Sequence, residues 1–247
     1  MTDGQGLSPG IAAAWGVKPP PAKGPKPGLT LERIVAAAVA IADAEGLDAV
    51  SMNRVAKELE TGAMSLYRYV ESKDELLALM VDAALGEVPP TPPLEGWRPR
   101  LERWARATME GLARHPWAVN APIAGPPLAP HAVAWFEDAL AALDGTGLEP
   151  SEKPSVVLML SGYVTNHVTV MHQVAQGFLA GDAPDAAMRG YADTLRRLAD
   201  PARFPALHAV LAAGVFDRAD PPDEEFSFGL ERILDGIEAL ISSRSRS

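Results

Sequence analysis

The chain has no cysteine among its 247 residues. That absence removes disulfide scaffolds, thiolate zinc sites, iron–sulfur clusters and thiol nucleophiles together, and it fits a reducing compartment. Long apolar runs are missing as well: alanine aside, the longest unbroken one, Val156–Leu160, falls far short of the roughly 20 residues that cross a bilayer. The first residues carry Pro and Gly where a secretory signal would carry an apolar stretch, so the expected setting is cytoplasmic, with no membrane partner. Neither an internal repeat nor an alternating strand pattern bounded by hairpin signals is present. Basic charge is in deficit, 22 Lys and Arg against 32 Asp and Glu giving a net −10. A nucleic-acid role must therefore rest on a local site that works against the global charge.

The composition includes 47% hydrophobic and 22% charged residues, the balance of a folded globular protein. Residues 1–28 hold six Pro and six Gly, with Lys18, Lys23 and Lys26 against Asp3, and read as a flexible, mildly basic arm. Thr30 caps a helix whose apolar positions Leu31, Ile34, Val35, Ala38, Ile41 and Ala42 fall at steps of three and four, with Gly46 as its stop. Ser51 opens a short second helix that ends at Thr61 and Gly62, and a third segment, Met64–Val70, comes after a tight turn. Ser72 and Glu75 have the spacing of a capping box, the hydroxyl reaching the Glu75 amide and the carboxylate reaching back, which starts a fourth helix near Lys73.

Prolines at 89, 90, 92, 93 and 99 place a domain boundary between Gly86 and Pro99. Helical patterns then cover 99–114, 130–143, 152–178, 185–199, 203–213 and 223–242. The expected fold is all-α: the arm (1–28), a helix-turn-helix domain (29–86), a helical domain for ligand and dimer contacts (97–242) and a frayed tail (243–247).

Helix–tight turn–helix spacing over Ser51–Leu76 is what sets a short helix into a major groove. On that geometry Ala63, Met64, Ser65 and Tyr67 face base edges. Arg68 and Lys73, with the open amides at the start of the fourth helix, face phosphates. Residues 29–75 nevertheless hold five Lys and Arg against nine Asp and Glu, a net −4 that opposes phosphate contact. Helical hairpins without a DNA role share this spacing, so spacing alone leaves both readings open.

In the second domain, Met159, Tyr163, Asn166, His167 and Val170 recur at steps of three and four along 152–178. Apolar walls with a few convergent polar groups suit a small-molecule pocket; the same groups equally suit a satisfied helical core or a dimer contact. Trp104, His115 and Trp117 complete the candidate wall, the tryptophans being core residues and His115 a helix-end charge on the alternative reading. His167 and His172, five residues apart in one helix, are turned about 140° from each other and cannot chelate jointly, so neither a metal nor a cofactor is expected. Helix 152–178 is apolar nearly all round. Helix 223–242 carries Phe226, Leu230, Ile233, Ile237 and Leu240 in one stripe with Gly229 and Gly236 beside it, and these two helices are the expected homodimer contact.

The run Ala-Met-Ser-Leu-Tyr-Arg-Tyr-Val (63–70), continued by Ser-Lys-Asp-Glu-Leu-Leu (72–77), resembles the DNA-binding domain of the TetR family of bacterial transcription regulators. Arg-His-Pro-Trp (114–117) and Phe-Gly-Leu-Glu-Arg-Ile-Leu-Asp-Gly-Ile-Glu-Ala-Leu (228–240) resemble, less closely, the effector domain of the tetracycline-repressor type. The resemblance implies an all-helical homodimer, a palindromic double-stranded DNA operator, and release of DNA when a small-molecule effector occupies the second domain. Position by position it puts base and phosphate contacts on Ala63, Met64, Ser65, Tyr67, Arg68 and Lys73, and adds Thr30 and Arg54 as flanking phosphate contacts. Relatives of the tetracycline-repressor type bind their drug with magnesium; no such site is legible here.

Three residues depart from the family pattern: Glu60 where Gly is usual in the turn, Gly62 in place of a capping residue or Pro, and Tyr69 where His is common. The rival classes are an all-helical enzyme and a DNA-binding regulator with no effector. The first has no H-E-x-x-H, Gly-rich phosphate loop or nucleophile elbow to support it. The expected function is an effector-responsive repressor whose effector is small and largely apolar or aromatic.

Overall fold

The computed structural model describes residues 7–17, 28–90, 95–122, 125–178, 184–217 and 222–245. Among these residues there are eleven α-helices and no strand: α1 (Pro9–Ala14), α2 (Leu31–Glu45), α3 (Met52–Glu58), α4 (Ala63–Leu66), α5 (Lys73–Leu85), α6 (Trp97–Arg114), α7 (Pro130–Ala142), α8 (Glu152–Phe178), α9 (Pro184–Leu198), α10 (Pro205–Ala212) and α11 (Pro222–Arg244). Five of them, α1, α7, α9, α10 and α11, begin on a proline, whose ring presets a helical φ and whose missing N–H would have had no partner there.

The chain divides into two compact units, residues 1–169 with 236–247, and residues 170–235. The proline-rich stretch after Gly86, expected as the domain boundary, lies within the first unit, where α5 is fastened to α7. Asp82 of α5 accepts the Ala132 N–H at 2.8 Å in the first turn of α7, and the Trp135 indole donates to the Gly86 carbonyl at 2.9 Å.

In the first unit, α2 to α5 pack around Ile34, Val55, Leu66, Val70, Leu76 and Met80, all fully buried. Their helix starts are capped as their sequences dictate. Thr30 accepts the Arg33 N–H at 3.2 Å, Ser51 the Arg54 N–H at 3.1 Å and Ser72 the Glu75 N–H at 3.1 Å, each cap contributing about 1 kcal/mol. Gly46, at φ +86°, ends α2 in a conformation that disfavours a side chain.

Two expectations for this unit need correction. Glu75 does not return its carboxylate to Ser72: one oxygen accepts the Glu71 N–H, and the other accepts the N–H groups of Gly10 at 2.6 Å and Ile11 at 3.1 Å. Residues 9–14, expected to be flexible, are therefore helix α1. They are held because a buried carboxylate caps their first turn and because Ile11 and Ala12 are buried. The rest of the arm, residues 1–6 and 18–27, lies outside the described residues, as do 246–247 of the expected tail; α11 continues past the expected end at 242 to Arg244.

α6 begins two residues earlier than expected, with Pro99 in its first turn, where the ring removes no helical hydrogen bond. It packs on α7 through Trp104, whose indole donates to the Trp135 carbonyl at 2.9 Å and whose ring meets the Trp135 ring edge-on at 6.4 Å. An Arg103–Asp138 ion pair closes the same seam. α8 is not buried all round: Val156, Val157, Leu160, Val164 and Val168 form its buried stripe, whereas Leu158 is 73% exposed and Met159 is also exposed. In the second unit, Tyr191 and Phe216 meet edge-on at 5.7 Å, and Arg196 bridges Asp193 and Asp217. Along α11, Phe226, Leu230 and Leu234 are buried at steps of four; Ile233, expected in that stripe, is half-buried.

Candidate nucleic-acid interface

α3 and α4 are joined by four residues, Leu59 to Gly62. The turn closes through the Thr61 N–H to the Ala56 carbonyl at 2.9 Å, and it forces Glu60 to φ +49°. This is the left-handed region, where a side chain costs about 1–2 kcal/mol relative to glycine. Glu60→Gly is expected to stabilise the fold by about 0.5–1 kcal/mol, the relief of strain being partly offset by the freedom glycine gains when unfolded. A calorimetric melt checks it: the melting temperature should rise by about 1–4 °C, and a fall would mean that the Glu60 side chain supports the turn. Gly62 sits at φ −87° as the α4 N-cap and supplies no side-chain acceptor.

α4 is a single helical turn that continues as tight turns to Val70, with the Tyr69 N–H on the Leu66 carbonyl at 2.8 Å and the Val70 N–H on the same carbonyl at 3.1 Å. Leu66 and Val70 face inward and are fully buried. The residues between them and just before them face outward: Met64 is 77% exposed, Tyr67 44%, Arg68 is exposed, and Ala63 and Ser65 are half-buried. Lys73, at the first position of α5, is exposed as well. A buried apolar pair thus fixes a short segment whose other side offers aromatic, hydroxyl and cationic groups to a partner.

Tyr69, one of the departures from the family pattern, is half-buried, and its phenol donates to the Leu29 carbonyl at 2.8 Å. That bond ties the residue preceding Thr30 to the segment bearing Tyr67 and Arg68. No sequence signal announces it beyond the unusual Tyr itself. Thr30 uses its oxygen as the α2 cap, which leaves its hydroxyl hydrogen available to a phosphate.

Arg54, which the resemblance puts among the flanking phosphate contacts, is paired within its own domain. Its guanidinium lies between Glu58 at 2.6 Å and Glu45 at 2.8 Å, and the hydrogen bonds to Glu58 and Glu45 raise its pKa above the ordinary arginine value. Both ends of the fork are occupied by carboxylates of its own domain, in a solvent-accessible ion-pair cluster. Among the nine carboxylates, Glu45 and Glu58 pair with Arg54, Glu75 accepts backbone amides, and Asp43 accepts the Trp117 indole and lies beside His115, contacts that fix these groups in place and leave the local net of −4 unchanged.

Asp43, on α2, accepts the Trp117 indole N–H at 2.6 Å, and the same carboxylate oxygen lies 2.8 Å from His115 Nδ1. His115 and Trp117, expected in a ligand wall, therefore join the end of α6 to the helix-turn-helix. Trp104, expected in the same wall, is buried in the α6–α7 seam. Tyr163 and His167 meet with ring centroids 6.4 Å apart, both half-buried, whereas Met159, Asn166 and Val170 are exposed.

Two family models match successive stretches of the chain. The one for bacterial regulatory proteins of the tetR family matches residues 34–80, and the one for the tetracyclin repressor-like C-terminal domain matches residues 89–241. The HTH-type transcriptional repressor DrrR1 of Streptomyces coeruleorubidus is 39% identical over 249 residues, which cover 98% of this chain and 90% of that protein. Apo ActR from Streptomyces coelicolor superposes with a TM-score of 0.72 at 32% identity, over 90% of this chain and 99% of that one. ActR in complex with actinorhodin superposes with a TM-score of 0.72 at 30% identity, over 87% of this chain and 99% of that one. Proteins of this kind are DNA-binding transcription regulators and not enzymes. The chain belongs to the TetR family of bacterial regulatory proteins.

Proposed function

We propose that this protein is an effector-responsive repressor, which binds a palindromic operator as a homodimer and leaves it when a small, largely apolar or aromatic molecule occupies the second domain. The observation that carries the reading is the α4 segment, with Leu66 and Val70 buried beneath it and Met64, Tyr67 and Arg68 exposed above. Ala63, Met64, Ser65 and Tyr67 read base edges; Arg68, Lys73 and Thr30 hold phosphates. In a two-fold dimer two such segments stand about 34–36 Å apart and meet successive turns of the groove.

The dimer is supported by apolar surface on the helices expected to form it: Leu158 on α8 is 73% exposed and Phe228 on α11 is 61% exposed in the single chain. An effector is supported by ActR, a relative of this fold solved with a small molecule bound. Tyr163 and His167, with Met159, Asn166 and Val170 on the same helix, are the residues proposed to meet it. Release results if the effector favours an arrangement of the dimer whose reading heads no longer match the operator.

Selection of genomic fragments with purified protein at near-physiological salt tests the reading. A single enriched palindrome is expected, and no enrichment over non-specific binding would overturn it. On that operator, Arg68→Ala should lower the slope of log affinity against log salt by about one, as the loss of one neutralised phosphate does. Arg54→Ala should leave the slope unchanged, since its charge is already matched by Glu45 and Glu58. A lower slope for Arg54→Ala would return that residue to the phosphate contacts.

A further inference from the structure

We infer that residues 9–15 are a strap that fastens the helix-turn-helix head to the start of α7 and so limits the angle the head can take. The strap lies outside both stretches matched by the family models, residues 34–80 and 89–241, so nothing in those matches accounts for it. At one end it is built into the head. The N–H groups of Gly10 and Ile11 point at the Glu75 carboxylate, at 2.6 and 3.1 Å, and Glu75, Ile11 and Ala12 are all buried. The fit is tight enough that a Cβ on Gly10 would lie 2.8 Å from both the Glu75 oxygen and the Leu79 Cδ1. At the other end the Trp15 indole donates to the Leu128 carbonyl at 2.7 Å, just before α7 begins at Pro130.

The first turn of α7 is also where Asp82 of α5 binds. The head is thus joined to the helices beyond it by Asp82 with Ala132, by Gly86 with Trp135 and by Asp43 with Trp117, and the strap adds a further joint at Leu128. Each joint displaced from the others narrows the range of angles the head can take, and the strap is the one that reaches from the first turn of α1 to Leu128, just before α7. The two ends of the strap are unequal. The Glu75 end is a buried, charge-assisted pair of hydrogen bonds, whereas Trp15 is 46% exposed and makes a neutral one. The Trp15 end opens first, and the strap stays with the head when it does. In a dimer the head angle sets the distance between the two reading segments, so the strap holds the population in the operator-competent range. This last step rests on the function proposed above; the mechanical one does not.

The absence of cysteine makes the test clean. Lys57→Cys on α3 and Glu110→Cys on α6, both at exposed positions, carry two spin labels, and the labelled full-length chain is diluted with excess unlabelled chain so that only distances within one protomer are read. Pulsed electron paramagnetic resonance should give one narrow distance distribution. Ile11→Asp, which puts a charge at a buried apolar position of the strap, and Trp15→Ala, which removes only the exposed end, should each broaden it or add a second peak. Both should weaken operator binding about 3- to 10-fold by lowering the competent fraction. Distributions as narrow as the parent's in both variants would overturn the strap. Broadening with unchanged operator affinity would overturn its role in DNA binding. If Ile11→Asp fails to fold, Trp15→Ala decides alone. The distances are measured without DNA, so they test the strap even if the operator reading fails.

Discussion

Tyr67→Ala is expected to weaken operator binding about ten- to a hundredfold, equivalent to about 1.4–2.8 kcal/mol, and to leave the melting temperature within about 2 °C of the parent. The two halves of that expectation come from one placement. The Tyr67 side chain is 44% exposed at the end of α4, while Leu66 beside it is fully buried. Removing the ring takes nothing from the core, but it deletes the largest group the reading segment offers to a groove. A tyrosine there supplies both a flat apolar face and a hydroxyl, the pair of features that lets one residue touch a thymine methyl and a phosphate or base edge. Titration of labelled operator against the variant, with a calorimetric melt of the same sample, separates the outcomes. Unchanged affinity would remove Tyr67 from the interface. A drop of many degrees in melting temperature would mean that the ring is structural and that the affinity loss is indirect.

The second large effect is expected at Asp82, which is buried and accepts the Ala132 N–H at 2.8 Å while one of its oxygens lies 3.0 Å from His131 Nδ1. Asp82→Ala removes the cap of α7 and leaves a buried amide without its partner, at about 1–3 kcal/mol, which lowers the melting temperature by several degrees. Asp82→Asn keeps an acceptor oxygen and should retain most of that stability. Burial raises the Asp82 pKa above the ordinary carboxylate value, outweighing the hydrogen bonds from Ala132 and His131. The sign comes from linkage: a carboxyl that is harder to ionise in the fold contributes stability that is complete below its ordinary pKa of 3.8 and is lost as pH rises through the raised folded value. The Asn variant cannot ionise, so its stability relative to the parent should improve as pH rises across that window. A difference between the two that is flat with pH would show that Asp82 does not titrate differently in the fold.

Most of the helical skeleton is legible in the sequence because its signals are local. Thr30, Ser51 and Ser72 announce their helices within three residues of the amides they cap, and Gly46 closes α2 at the next step of the chain. Contacts over long sequence separations are illegible. A stretch rich in Pro and Gly reads as an unstructured arm, and nothing in it shows that its amides are matched by a carboxylate 65 residues further on. Glu75 reads as half of a local capping box because the residue type and spacing fit, and its actual partners cannot be seen from there. Arg54 shows both cases in one side chain: Glu58, four residues on, is visible on a helical wheel, whereas Glu45, nine residues back across a turn, is not. Composition points His115 and Trp117 towards a pocket, and the group that claims them, Asp43, lies more than 70 residues away.

The indole hydrogen bonds have a spectroscopic consequence. Of five tryptophans, four donate to a distant acceptor: Trp15 to Leu128, Trp104 to Trp135, Trp117 to Asp43 and Trp135 to Gly86. Trp117 and Trp135 do so across the seam between the head and the helices beyond it. An excited indole is sensitive to the charge and water around its N–H. Exchanging the Asp43 carboxylate for solvent would therefore change the emission of Trp117. The ultraviolet fluorescence of the unlabelled protein is thus a built-in gauge of whether its reading head is seated.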